Sequence, residues 1–186
     1  MARSYENLSR ALSHALRHEP WLYELELDEE GWADVGATLA ALRRESAAWS
    51  NLTEFDLAEM IHTSSKQRHE LVNGRVRARY GHSLPGKLRR TPALPPPRLF
   101  HGTSPAAILK IREGGLLPMG RQYVHLSLDL ETAVAVGRRK SNDPIIITVR
   151  AEDAWNAGVV FYEGNEKVWL ADLVPPEFLD LIEHER

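Results

Sequence analysis

HELVNGRVRARYG, residues 69–81, decides how the first half of this chain is read. Asn73-Gly74 stands between two short runs of strand character. A two-residue type I′ turn needs positive φ at both positions, which asparagine tolerates and glycine adopts freely. The stretch is therefore expected to form a β-hairpin. It is a basic one, with Arg75, Arg77 and Arg79 following the turn.

Upstream of the hairpin the pattern is helical. Leu8, Ala11, Leu12, Ala15 and Leu16 recur at helical spacing, and Pro20 limits that helix to about residue 18. Residues 25–33, LELDEEGWA, read as a short strand and turn. Asp34 is placed to cap a second helix with Val35, Leu39 and Leu42 on its apolar face. Thr53 is placed to cap a third, with Leu57, Met60 and Ile61 inward. Helices followed by a basic hairpin resemble a winged helix. That architecture commonly binds nucleic acid, although a fold alone does not establish a function.

Downstream, SLPGKLRRTPALPPPRL at 83–99 holds five of the chain's eleven prolines. Proline continues neither a helix nor a central strand, so this stretch is expected to be extended and exposed, and to mark a lobe boundary. The expected division is a first lobe over 1–83, a proline-rich linker over 84–97 and a second lobe over 98–186. In the second lobe RLFHGT (98–103) reads as a strand running into a turn. Ser104-Pro105 reads as a helix start and Gly114-Gly115 as its end. YVHLSL (123–128) alternates like a strand, Asp129 is placed to cap a helix over 130–139, and IIITVRA (145–151) is a β-branched run suited to a central strand. VVFYEG and KVWLADLV read as two more strands. The fold class expected is α+β, its second lobe built on a small, mostly antiparallel sheet.

A chain of 186 residues with 43% hydrophobic content can bury an ample core. It has no run of about 18 apolar residues, so no membrane span is expected. MARSYENLSR lacks an apolar signal core, and the absence of cysteine excludes disulfides, zinc–thiolate sites and thiol nucleophiles. A soluble, cytoplasmic monomer is the expectation. The net charge of −3 hides an asymmetry. Residues 1–60 hold 5 Lys/Arg against 12 Asp/Glu, residues 61–100 hold 9 against 1, and residues 101–186 hold 9 against 13. The middle segment is a basic block on an acidic chain, and such a block attracts polyanions.

Several residues carry chemistry in principle. Arg17 and His18 fall at the last turn of the first helix, where cations offset the dipole and where neighbouring side chains also reach one anion. Arg68 precedes the hairpin in a Lys66-Gln67-Arg68 run, and Arg121 precedes a strand; both are ordinary surface positions when taken alone. His101-Gly102-Thr103 ends a strand with a glycine that permits close backbone approach. His125 and Ser127 alternate on one strand face, and two polar groups there need partners or a ligand. There is no GxxxxGK[ST], GxGxxG or GxSxG motif and no helical HExxH, and the scattered histidines give metal chemistry little support. No metal is expected.

Together these segments resemble the RNA 2′-phosphotransferase family, whose founding activity removes the splice-junction 2′-phosphate from tRNA. The resemblance lies in LRHEP (16–20), DEEGWADV (28–35), KQR (66–68), GHS (81–83), FHGT (100–103), RQYVHLS (121–127) and VWLADLVPPEFL (168–179), in the family's order and spacing. It implies a winged-helix RNA lobe joined to an ADP-ribosyltransferase-like NAD lobe. The family's Arg-His-Arg-Arg tetrad would fall on Arg17, His18, Arg68 and Arg121, four residues that meet only if both lobes contribute to one site. NAD-binding elements would fall on His101, Gly102, Thr103, His125 and Ser127. RNA contacts would fall on Lys66, Arg75, Arg77, Arg79, His82 and Ser83. Of the histidine, aromatic or histidine, and glutamate triad of related ADP-ribosyltransferases, His101 and His125 match, and Val168 stands where the glutamate would be.

The resemblance implies a two-step reaction in which NAD is consumed. A 2′-phosphate is already a dianion near neutrality, so no carboxylate base is needed. One of its oxygens would attack the nicotinamide-bearing ribose carbon of NAD, releasing nicotinamide and leaving a 2′-phospho-ADP-ribosylated RNA. The neighbouring ribose hydroxyl would then attack phosphorus, giving 2′-OH RNA and ADP-ribose 1″,2″-cyclic phosphate. Arginines would hold the phosphate and His18 would aid proton transfer. His69, Tyr80 and the proline-rich linker depart from the family pattern. Two other readings remain: an ADP-ribosyltransferase acting on terminal phosphates of RNA or DNA, and a non-catalytic winged-helix nucleic-acid binder.

Overall fold

The protein is described by a computed structural model over residues 5–182. Among the described residues there are six α-helices and two antiparallel sheets, an α+β arrangement. They fall into two compact units divided between Arg89 and Arg90. No helix among them is long and apolar enough to cross a membrane.

The first unit runs α1 (Tyr5–Arg17), β1 (Ala33–Asp34), α2 (Val35–Glu45), α3 (Glu54–Thr63), β2 (His69–Val72) and β3 (Arg75–Ala78). Leu8, Leu12, Ala15 and Leu16 bury one stripe of α1 against Leu39 and Leu42 of α2, Leu57 and Met60 of α3, and Val76 of β3. Pro20 ends α1 by opening a tight turn over Pro20–Tyr23. The Asp34 carboxylate accepts the Ala37 N–H at 2.7 Å to start α2. Thr53 and Asp56 cap each other's backbone N–H groups at the start of α3. Such caps contribute about 1 kcal/mol each. Asn73 (φ 49°) and Gly74 (φ 70°) are both left-handed and close the hairpin in the register His69↔Ala78, Val72↔Arg75. β1 joins the other edge of β3, pairing Ala33 with Val76.

The stretch 25–33 corrects the expectation of a strand beginning at residue 25. The Asp28 carboxylate accepts the N–H groups of Glu30 and Trp32, and Gly31 takes φ 83°. A side-chain-capped turn therefore consumes most of the segment, and only its last residue, Ala33, reaches the ladder.

The second unit contains β4 (Arg98–Thr103), α4 (Ile108–Gly114), β5 (Val124–Ser127), α5 (Leu130–Gly137), β6 (Ile145–Arg150), α6 (Ala151–Asn156), β7 (Phe161–Glu163), β8 (Val168–Ala171) and β9 (Leu179–Ile182). The sheet order is β7-β8-β5-β4-β6-β9. Its buried core includes Leu99, Val124, Leu126, Ile147, Val149 and Phe161. The β-branched β6 has a partner on each side, and Asp129 caps α5 by accepting the Thr132 N–H at 2.7 Å. α6 and the edge strand β9 have no counterpart in the sequence reading.

Two further expectations are corrected. Ser104 makes no capping bond: Pro105 opens a tight turn over Pro105–Ala107 ahead of α4, and the turn closes through Ala107 N–H to the Ser104 carbonyl at 3.0 Å. The proline-rich stretch has neither helix nor named strand before β4, yet it is not freely exposed. Leu88 and Pro95 are buried. Arg89 donates its N–H to the Glu29 carbonyl and pairs its guanidinium with Glu29 and Glu30. Ala93 donates to the Phe161 carbonyl at 2.9 Å. The residues between the prolines keep their N–H groups, and these fasten the segment.

Candidate active site

Three basic residues of the sequence reading meet in the first unit, at the C-terminal end of α1. Arg17 is the last residue of that helix and His18 follows it. The segment after β3 passes alongside: Ser83 donates its N–H to the Arg17 carbonyl at 2.9 Å, and its Oγ lies 2.8 Å from His18 Nδ1. The segment before β2 comes in from the other side. An Arg17 Nη2 reaches the Arg68 carbonyl at 3.4 Å, and Arg79 N–H donates to the same carbonyl at 2.9 Å. The Arg17 guanidinium also lies over the Tyr80 ring, 5.1 Å from its centroid. A helix terminus, a strand start and a loop are thereby tied to one another around Arg17, His18 and Arg68.

His69 lies behind this cluster. It is only 3% exposed, and its Nε2 stands 3.0 Å from Ser13 Oγ on α1. Burial first, then the Arg17 and Arg68 charges, hold its imidazole down at about 3. It is neutral near neutral pH and adds no charge to compete with the arginines. The Arg17 and Arg68 charges both reach His69, and Arg68 lines one groove with His18; guanidiniums and an imidazole so placed suit a phosphate group, since each guanidinium supplies paired N–H donors.

In the second unit the strands β4 and β5 are neighbours at the centre of the sheet, but their ladder holds one pair, Phe100↔Ser127, against six between β4 and β6. Beyond that pair a side chain spans the strands: His101 Nδ1–H donates to the His125 carbonyl at 2.9 Å. His125 Nδ1 in turn contacts the Tyr123 carbonyl at 3.0 Å. Burial, then the Lys140 charge, lower the His101 imidazole to about 4, although the bond to His125 acts the other way. His101 is thus neutral, with Nδ1 as donor and Nε2 as acceptor. Thr103 and Ser127 are buried at 3% and 6% exposure. Val168 pairs with Ser127.

Gly102 has a definite structural duty. A Cβ there would sit 2.0 Å from the Ala133 carbonyl oxygen and 2.8 Å from Gly137 N, both in α5. The close approach that this glycine permits is to helix α5. By strand alternation His101 and Thr103 point to the other side. Arg121 is exposed in the turn before β5, where its N–H meets the Pro118 carbonyl at 3.2 Å. Met119, two residues earlier, takes φ 58°. Arg121 is close enough to Lys140 that, after burial, its charge lowers the lysine's pKa. Arg121, Lys140 and His101 therefore form a linked series in this unit.

The residues expected to contact RNA do not share one environment. Ser83 belongs to the His18 cluster, and Arg79 is tied to it through its backbone. Lys66 is exposed in the loop after α3. Arg75 pairs with Asp28, while Arg77 bonds Glu70 at 2.9 Å and stacks 4.3 Å from the Trp32 ring centroid. His82 is 3% exposed, and its Nε2 lies 3.6 Å from where a Cβ on Gly31 would be.

Tyr80, Ser13, His69 and Lys140 were not selected as site residues from sequence. Tyr80 and His69 are visible there only as departures from a family pattern. Lys140 ends the run Arg138-Arg139-Lys140, which reads as an ordinary charged helix end.

A family model described as RNA 2′-phosphotransferase, Tpt1/KptA family, matches residues 3–173. The chain is 52% identical over 175 residues to a probable RNA 2′-phosphotransferase of Bacillus thuringiensis subsp. konkukian, covering 94% of each chain. It is 47% identical over 175 residues to one of Acetivibrio thermocellus, covering 94% of this chain and 96% of that one. To one of Aeropyrum pernix it is 38% identical over 178 residues, covering 96% and 80%.

Proposed function

The chain belongs to the RNA 2′-phosphotransferase, Tpt1/KptA family, and from that membership we propose that it removes a 2′-phosphate from RNA by transferring it to NAD. The observation that carries this reading is the gathering of Arg17, His18 and Arg68 at the C-terminal end of α1, where Arg17 bonds the Arg68 carbonyl and Ser83 holds both the Arg17 backbone and the His18 ring. Such a cluster suits a dianionic phosphoryl group better than it suits a neutral or cationic ligand.

In this reading Arg17 and Arg68 hold the phosphate oxygens. They orient one of them toward the nicotinamide-bearing carbon of NAD. Their fixed charge helps most when the neighbouring ribose hydroxyl displaces the RNA 2′-oxygen from phosphorus, because negative charge then builds on the phosphoryl oxygens. His18, oriented through Nδ1 by Ser83, returns a proton to the departing 2′-oxygen. The products are 2′-OH RNA, nicotinamide and ADP-ribose 1″,2″-cyclic phosphate.

The donor set of the second unit fits NAD as the co-substrate. Between β4 and β5 the sheet leaves its ladder after one pair, and His101, Thr103 and Ser127 supply neutral hydrogen-bonding groups suited to ribose hydroxyls and an amide. Arg121 and Lys140 supply cations suited to a pyrophosphate. The first unit would act as a winged-helix RNA lobe and the second as an ADP-ribosyltransferase-like lobe.

The test is stoichiometric. With a 2′-phosphorylated oligonucleotide, one nicotinamide should appear for each phosphate removed, and omitting NAD should stop the reaction. Phosphate release at the same rate without NAD would contradict the NAD-dependent part of this reading.

A further inference from the structure

The solvent-facing side of α1 is concave. Glu6, Arg10, His14 and His18 follow one another at i, i+4 spacing and all line a groove of about 690 Å³. Ser9 and Ser13 form a second row beside them. The opposite wall is the C-terminal end of α3 with Ser65 and Arg68. From Glu6 to His18 the helix rise gives a path about 18 Å long. One end of that path is the His18 and Arg68 cluster.

A polar helix face is ordinarily a convex, solvated surface. This one is walled, and it leads to the phosphate-holding residues. Half of its lining residues carry hydroxyls, which both donate and accept and so match ribose hydroxyls and phosphodiester oxygens. His14 offers a ring 6.1 Å from that of His18, a surface on which an unpaired base can stack. Arg10 stands farther along the groove, paired with Glu6 on an exposed surface. Exposed pairs of this kind are weak, so a phosphate can displace the carboxylate.

We infer that this groove seats the single-stranded RNA flanking the nucleotide that bears the 2′-phosphate, which makes it the enzyme's strand-reading subsite. The inference rests on the function proposed above.

The test compares two substrates carrying the same 2′-phosphate, a dinucleotide and a longer oligonucleotide, with NAD and the full chain. Wild type should show a higher kcat/KM on the longer one. Arg10→Glu, a surface change, and Ser9→Trp, which fills the groove, should each lower kcat/KM on the longer substrate by about tenfold, the worth of one charge-assisted contact. The dinucleotide value should hardly move. Equal kcat/KM for the two substrates in wild type, or variants that lower both alike or neither, would overturn the groove assignment. If wild type processes neither substrate, the phosphotransferase reading fails instead. Fluorescence polarisation of a labelled, unphosphorylated oligonucleotide then decides the groove: weaker binding by Arg10→Glu supports it, and unchanged binding overturns it.

Discussion

Ser83 orients His18: its hydroxyl lies 2.8 Å from His18 Nδ1, while its own N–H is bound to the Arg17 carbonyl. One residue thus fixes the ring of His18 and the backbone of its neighbour. Ser83→Ala keeps the backbone bond and loses the hydroxyl. It should lower kcat by about tenfold, the order of one hydrogen bond's orienting value, with KM and thermal stability nearly unchanged. Steady-state kinetics with a thermal melt check this; a wild-type kcat would remove Ser83 from the mechanism.

Arg68→Ala and Arg121→Ala should each cost about 2–4 kcal/mol of transition-state stabilisation, a loss of turnover by orders of magnitude. Arg17→Ala should cost as much in turnover and also lower stability, because Arg17 bonds the Arg68 carbonyl and lies over Tyr80. Arg17→Lys keeps the charge but not the planar fork, so it should stay deeply impaired. Single-turnover rates measured beside melting temperatures separate the two effects.

Stability should fall with acid before most carboxylates titrate. His69 and His101 are held at about 3 and about 4, below the ordinary value of 6.5. The folded chain refuses a proton that the unfolded chain accepts, so this contribution is intact above 6.5 and is lost as pH falls toward 4 and then 3. The limiting slope is about 1.4 kcal/mol per pH unit for each imidazole. Denaturant unfolding between neutrality and mild acid should show this, and His69→Phe should flatten the slope by one proton.

Gly102→Ala should destabilise the second unit by about 3 kcal/mol or more, because the added methyl group would overlap the α5 backbone. Gly74→Ala meets no atom within 4 Å and carries only the penalty of φ +70°, about 1 kcal/mol. Melting curves of the two variants should therefore differ clearly.

Charge alone treats the arginines of the hairpin as equivalent, but their surroundings do not. Arg75 and Arg77 are engaged by Asp28, Glu70 and Trp32, and Lys66 lies at the surface two residues before Arg68. Removing Lys66 should reduce the salt slope of RNA binding by about 0.7, the value of one single-strand phosphate contact. Arg75, held by both Asp28 and the Trp32 ring, should contribute less to the slope than Lys66. Binding titrations over a salt series test both.

What was legible in the sequence was local. The Asn73-Gly74 turn and the caps at Asp34, Thr53 and Asp129 depend on residues within a few positions, and each forms as expected. The strand predicted at residue 25 failed because Asp28 binds its own turn, a competition that composition does not reveal. The site was legible only through resemblance. Arg17, His18 and Arg68 each look like ordinary surface cations, and Ser83 and Tyr80, which touch His18 and Arg17, come from a distant segment. Gly102 was read as room for a ligand; the room is used by α5.

The central claim is that this chain transfers an RNA 2′-phosphate to NAD. Mass spectrometry of the products from 2′-phosphorylated RNA and NAD tests it most directly. The account predicts RNA lighter by one phosphate, nicotinamide, and ADP-ribose 1″,2″-cyclic phosphate in equal amounts. A stable ADP-ribosylated RNA with no cyclic phosphate, or RNA that keeps its 2′-phosphate, would contradict it.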